Sequence, residues 1–566
     1  MRLLSAIATC SVIACGPGSA PSTKSVADSA ADTGTLAAPL TTSGVITCAD
    51  PDARQRLGPL ESADLGPGWT AQTPAGWDSA PLEPSGGVAV ADFTGDGLLD
   101  YFLPADSPCM LFVAQPDGTL VDESAARIPG GADECRAWGA SAADFDNDGD
   151  LDLFVPRERE PDQLWENDGT GHFADITDAA GIPAHLCGSR SGSWGDMDGD
   201  GDLDLFVSAH RVVEEDVDGP CVVPISPLTW RMDAGGPNLL LENRGDGTFA
   251  DRTAELHFDL VHAYSFVAGW YDLDQDADLD LFVINDYSPY STPTTAWINQ
   301  GGGQFTELDP LAGLQLQIFG MSLSPGDLNN DGIIDFAVSD IERLHLMESL
   351  GPSEWVDRAI ARGVVPDLSR QQAASWGTAL EDIDNDGLLD LVAVFGPTED
   401  ALGGGGAALL EQPDGLFVQQ ADGSFEDVAP AWGFDATEVG RGLVVADLNG
   451  DGWLDFVRPN HRSGPTTIHH QRCGDAAWLT VALDGPGMGY GARVEVEAGG
   501  HTRVRWMDPT NEALGSTGPA VVHFGLGQVD QIDTLRVLWP DGTTSENHLI
   551  EPRQHVVVGH LGGSDR

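Results

Sequence analysis

The sequence predicts an all-β protein: a seven-bladed β-propeller followed by a small C-terminal β domain. Three observations carry this. A nine-residue acidic loop recurs seven times, and each copy runs into an apolar strand, as in DFDNDGDLD followed by LFV from Asp144. The copies start at residues 92, 144, 196, 272, 327, 382 and 447, a spacing of 52 to 76 residues. A period near 50 residues, built from short strands, is the mark of radial repeats. The chain of 566 residues also carries 70 glycines and 36 prolines, the turn density of a many-stranded fold.

Within each loop, positions 1, 3, 5 and 9 offer side-chain oxygens. They are Asp92, Thr94, Asp96 and Asp100 in the first copy, and Asp144, Asp146, Asp148 and Asp152 in the second. The third has Asp196, Asp198, Asp200 and Asp204, and the fourth Asp272, Asp274, Asp276 and Asp280. The fifth has Asp327, Asn329, Asp331 and Asp335, and the sixth Asp382, Asp384, Asp386 and Asp390. The seventh has Asp447, Asn449, Asp451 and Asp455. Alternating hard oxygen donors on a tight loop suit calcium. Glycine at position 6 permits the sharp turn. Up to seven structural Ca2+ ions are expected, each relieving the mutual repulsion of packed carboxylates. Thr94 is a poor donor and Ala277 resists a left-handed backbone, so loops one and four are expected to be the weakest sites.

The strands that follow complete each blade. In residues 138–180, WGASAAD leads into the acidic loop, LDLFVP and QLWEN are the second and third strands, and HFADIT is the outer one. An Asp-Gly turn at Asp168 joins strands three and four. Four antiparallel strands are one propeller blade. The acidic loops and Asp-Gly turns then share one face, and the two-to-three loops and blade links lie on the opposite one. Trp138, Trp194, Trp270, Trp376 and Trp432, in or just before first strands, are expected to plug gaps between blades.

Blade seven has no fourth strand of its own. The outer-strand pattern reappears at Gly68–Thr73, so an N-terminal segment is expected to complete that blade and remove the exposed edges of a linear array. After the leader, six cysteines remain in a chain expected to be exported, and three disulfides are expected. Shared face and proximity pair Cys109 with Cys135 and Cys187 with Cys221. A Cys48–Cys473 bridge would lock the seam.

Arg2 precedes an apolar run, Leu3 to Ala14, that is too short to span a bilayer. Val12-Ile13-Ala14-Cys15 resembles a bacterial lipobox, whose Cys15 would be lipidated; an ordinary secretory signal is the alternative. The expected organisation is a leader at 1–15, a disordered tether at 16–44, a seam segment at 45–84, the propeller at 85–473 and a β domain at 474–560. By resemblance to Gram-negative lipoproteins, the chain is expected in the cell envelope, lipid-anchored at the outer membrane.

The loops resemble the FG-GAP/VCBS repeat, which builds the propeller of integrin α-subunits and of many bacterial exported proteins. Tyr490–Val494, His523–Gly527 and Leu538–Gly542 resemble the ASPIC/UnbV domain. The pair is similar to the cartilage acidic protein family and its bacterial relatives. That resemblance implies calcium-dependent binding or adhesion.

Net charge is −63, which excludes a nucleic-acid partner, since phosphate recognition needs a basic face. The expected function is a monomeric binding module for an envelope or extracellular protein or glycan, with membrane contact only through the lipid anchor. Its contacts are expected on the face opposite the acidic loops. Arg157, His210, Arg211, Trp230, Tyr287, Tyr290 and His461 are the candidate anchors, because aromatic and Arg side chains dominate contacts. The long blade-three insertion, about 212–237, is the leading loop. The alternative is a polysaccharide lyase or hydrolase. No nucleophile elbow, HExxH helix or phosphate loop is present, and the abundant acids are accounted for by the metal loops, so no catalytic residue is assigned.

Overall fold

The computed structural model describes residues 38–47, 61–63, 86–105, 108–131, 135–157, 160–183, 188–210, 238–256, 263–341, 343–365, 374–397, 412–435, 437, 439–460, 466–471, 473–508 and 515–561. Seven four-stranded antiparallel sheets succeed one another from residue 89 to residue 470. Blade two shows how the residues make them. Ser141–Ala143 is a strand of small buried residues near the axis. Asp152–Val155 is buried along its whole length, which explains its continuous apolar run. Gln163–Asn167 and Phe173–Asp175 follow, and Ala174 and Asp175 on the outermost strand are exposed.

Core packing closes the ring. Seven hydrophobic clusters each join one blade to the next. A linear array of seven blades would have one junction fewer. The closing cluster packs Val88, Val90, Tyr101 and Phe112 of blade one against Val444, Ala446, Val457 and Ile468 of blade seven. Trp194 and Trp270 sit in first strands and plug such junctions. Trp432 ends a short helix, Ala429–Trp432, in the link into blade seven.

The strand that completes blade seven is Glu61–Ala63, which pairs with Thr467–His470. Gly68–Thr73, which the pattern had nominated, lies outside the described residues, as do Cys15, Cys48, Cys187 and Cys221. A three-residue edge strand is held by backbone pairing and needs no recognisable side-chain pattern. The Cys109–Cys135 disulfide is present, and Cys473 is disulfide-bonded.

The C-terminal domain is two four-stranded sheets around one core. One of them corrects the expected tether. Leu40–Thr42 is not a loose linker but an edge strand, paired antiparallel with Gln554–Gly559. Its pairing partner lies some five hundred residues away, so nothing local in the sequence marks it.

This domain sits on the acidic-loop face. Its core is continuous with that between blades two and three: Leu203 and Phe145 belong to the same cluster as Tyr490 and Trp539. Tyr490 donates to the Ala142 carbonyl at 3.1 Å, and Asp508 accepts from the Tyr271 hydroxyl at 2.6 Å. Gly515–Thr517 reaches down the central channel. Thr517 bridges to Ala89 in parallel, its hydroxyl donates to the Ala140 carbonyl at 2.9 Å, and the Ser516 hydroxyl accepts from Val88 N at 3.3 Å. At the far end Gly515 and Gly139 are so close that a Cβ on Gly139 would lie 2.9 Å from the Gly515 Cα.

Candidate metal centre

Each acidic loop is built the same way. The first aspartate folds the loop around its own carboxylate. Asp144 Oδ1 accepts from Asp148 N at 3.0 Å and Oδ2 from Gly149 N at 3.0 Å. Asp327 repeats this with Asp331 and Gly332, both at 2.9 Å, and Asp382 with Asp386 and Gly387 at 3.0 and 2.7 Å. Two residues per loop have positive φ. Position 6 is one, from Gly452 at 82° to Gly387 at 98°, and Ala277 takes the same conformation at 77°. Position 4 is the other, with Asn147 at 60°, Gln275 at 66° and Asn385 at 57°. Side chains there are strained, and Asn bears the strain best among non-glycine residues.

The ninth residue fastens the loop to its blade. Asp204 Oδ2 accepts from Met197 N and Oδ1 from Asn243 N, both at 2.8 Å. Asp280 does the same with Leu273 and Asn299, and Asp390 with Ile383 and Gln419.

Sequence reasoning missed what the last residue of the third strand does. Its side-chain amide crosses to the preceding blade and caps the position-2 carbonyl of that blade's loop. Asn167 reaches Phe93 O at 2.9 Å, Asn243 reaches Phe145 O at 2.7 Å and Asn299 reaches Met197 O at 2.7 Å. Gln419 reaches Leu328 O at 3.1 Å and Gln471 reaches Ile383 O at 2.8 Å. The signal was there: Asn or Gln recurs at the end of the third strand.

Carboxylates converge in four loops. Asp144, Asp146 and Asp152 bring oxygens within 4.8 Å of one another, as do Asp196, Asp198 and Asp204, and Asp382, Asp384 and Asp390. In blade four the group is Asp272, Asp274 and Asp276, although Ala277 marked that loop as weak. Position-5 residues Asp148, Asp200 and Asp386 and position-9 Asp280 stand outside these groups. Blades one, five and seven carry Thr94, Asn329 and Asn449 at position 3.

The electrostatics fit a cation. Burial, then its neighbours Asp146 and Asp148, pushes the Asp144 carboxyl up to about 7. Burial pushes Asp204 and Asp280 up to about 8, with loop carboxylates adding to it. Thr94 Oγ1, Asp150 Oδ1 and Asp274 Oδ1 are buried with no hydrogen-bond partner. Such oxygens, all hard donors, fit a divalent ion such as calcium. An ion held by positions 1, 3 and 9 would supply the missing positive charge and lock the loop.

The opposite face is described only in part. Arg211, Trp230 and His461 lie outside the described residues. Arg157 and His210 are not free anchors. Arg157 is 8% exposed, donates to the Arg136 carbonyl at 3.0 Å and pairs with Glu160. His210 is 7% exposed, with Nε2 3.0 Å from Asp286, and packs among Tyr264, Phe266 and Tyr287. Tyr290 does reach solvent, 64% exposed, over the edge of Phe319.

The chain is thus an FG-GAP-like repeat protein with a C-terminal ASPIC and UnbV domain. The repeat family matches residues 92–155, 144–207, 272–338 and 382–457, and the ASPIC and UnbV family matches residues 484–564. It is similar to cartilage acidic protein 1 of Xenopus tropicalis, 25% identical over 86% of this chain and 75% of that protein, and to its Homo sapiens counterpart, 25% identical over 86% and 73%. Similar solved structures include an Agrocybe aegerita lectin recognising non-reducing terminal N-acetylglucosamine, with 16% identity and a TM-score of 0.37 over 60% of this chain and 78% of that one. Another is the rhamnogalacturonan lyase YesW, with 13% identity and a TM-score of 0.36 over 73% and 74%.

Proposed function

We propose that this protein is a calcium-stabilised binding module of the cell envelope, recognising a protein or glycan through the face opposite its acidic loops. One observation carries the reading. The C-terminal domain packs on the acidic-loop face and enters the channel, which leaves the far face for a partner. That face carries a chain of rings running from Trp376 through Phe266, His210, Tyr287 and Phe319 to exposed Tyr290. Propeller loops of this kind are where binding residues concentrate.

Binding rather than catalysis is supported by the acids, whose places are in loop architecture rather than in an isolated acid/base pair. The anchor is Cys15, and the module acts as a monomer. Among the described residues no helix is long and apolar enough to cross a membrane.

The test is a screen of the full chain in calcium against glycans, polyuronates and envelope proteins, reading both binding and cleavage. Binding without cleavage, lost when residues 212–237 are deleted but with melting preserved, is the expected result. Binding unchanged by that deletion overturns the assigned loop, and cleaved polysaccharide overturns the non-enzymatic reading.

A further inference from the structure

At the blade-six loop the C-terminal domain presents two buried arginines. Arg503 and Arg505 alternate on the strand His501–Trp506 and so point to one face of their sheet. Both are buried, 7% and 5% exposed. The Arg503 guanidinium rests directly on Gly387, position 6 of the loop. Asp382 and Asp386 are the carboxylates that act on it, and Arg505 acts on Asp382, Glu381 and, from blade five, Asp327. Nε and Nη1 of Arg503, and Nε and Nη2 of Arg505, are buried with no hydrogen-bond partner. The domain also closes the loop sterically: Gly525 lies against Asp382, Gly527 N donates to the Asn385 carbonyl at 2.8 Å, and His523 Nε2 lies 2.7 Å from Asn385 Oδ1.

A buried guanidinium is costly unless carboxylates compensate it. Here Asp382, Asp386, Glu381 and Asp327 act on the two guanidinium groups through space, without a direct ion pair to either among the described residues. We propose that Arg503 and Arg505 are the built-in counter-cations of the blade-six loop, so that the docked protein offsets the charge around Asp382 and Asp386 without a divalent ion. This rests on the reading of the other convergent loops as calcium sites. A cation entering blade six meets two like charges, and its affinity falls at least about tenfold, the scale on which a neighbouring charge shifts ionisation equilibria. Docking of the C-terminal domain and loading of this loop are therefore alternatives.

The experiment is calcium stoichiometry of the full chain, by equilibrium dialysis against calcium chloride. Asp146→Asn in blade two should remove one ion. Asp384→Asn, its counterpart in blade six, should remove none. Arg503→Gln with Arg505→Gln should add one ion, which Asp384→Asn then takes away, whereas Arg503→Lys with Arg505→Lys should bind as wild type. Loss of one ion from wild type on Asp384→Asn overturns the proposal. A second arm needs no metal. In excess EDTA the double glutamine variant should melt lower than wild type, and adding Asp382→Asn should recover part of that loss. Strictly additive shifts overturn the proposal. If Asp146→Asn removes nothing because no calcium binds, it is the calcium reading that fails, and the EDTA arm decides the role of the arginines.

Discussion

Blades two and six carry nearly the same loop, DFDNDGDLD and DIDNDGLLD, in very different company. In blade two, residues 146–149 are exposed, and the Asn147 side chain lies 2.8 Å from Asp202 of the next blade and accepts from Gly487 N of the C-terminal domain at 2.9 Å. In blade six the equivalent Asn385 is buried, held by His523 and by the Gly452 carbonyl. The donor set is local, written in nine residues. Access to it, and the charge it meets, come from a domain more than a hundred residues away. A loop motif therefore shows where oxygens converge but not what neutralises them.

The largest expected effect comes from removing that distant partner. A chain stopped after Cys473 would expose the surface that blades two and three share with the C-terminal core, and it should lose its cooperative melting transition in calorimetry. A truncated ring that melts as wild type would show the domain to be a passenger, and the contrast between the two loops would lose its meaning.

Calcium removal comes next. Each occupied site adds about 2.7 kcal/mol when calcium is a hundred times its dissociation constant. EDTA should therefore lower the melting temperature, and Asp144→Asn should reproduce part of that fall. The metal-free protein should also show an unusual pH dependence. Folding raises Asp196 from 3.8 to about 6, Asp144 to about 7 and Asp204 to about 8, chiefly by burial. Folded loops thus prefer the protonated form. Their cost is absent below the ordinary aspartate range and grows as pH climbs through these raised values. In EDTA the melting temperature should fall between about pH 5 and pH 8, and saturating calcium should flatten that slope. A flat profile in EDTA would mean that the loops are not strained by their own charge.

Cutting an inter-blade amide is a smaller perturbation. Asn167→Ala leaves the Phe93 carbonyl unsatisfied and should cost about 1–3 kcal/mol by denaturant titration. Blade five has a serine at the equivalent place, within the strand Leu344–Gly351: Ser349 N donates to Asp335 at 2.6 Å, and its hydroxyl has no partner. Ser349→Ala should therefore cost far less. The smallest expected effect is a gain. Ala277→Gly relieves a left-handed alanine in blade four and should stabilise the protein by about 1 kcal/mol, tightening calcium there if that loop is loaded.

Much of this fold was legible because its signals are periodic. Seven loops in register gave the blade count, and face assignment gave the Cys109–Cys135 pair. What could not be read is held together by distant partners. Leu40–Thr42 is three residues without a pattern, and Gly515–Thr517 finds its place only when blades already surround an axis. Arg503 and Arg505 look like ordinary surface decoration on a strand until the propeller covers them. At the site itself the glycine at position 6 was evident, whereas the left-handed residue at position 4 went unread, though Gly or Asn fills it in six of the seven loops.

The edge strand Leu40–Thr42 also gives the molecule a direction. It docks on the C-terminal domain, so that strand and that cap share one side of the molecule. If the molecule is fastened to a surface through that side, the domain becomes the pedestal and the chain of aromatic side chains becomes the summit. A tethered copy would then present Tyr290 to the surroundings and keep its acidic loops in its own shadow.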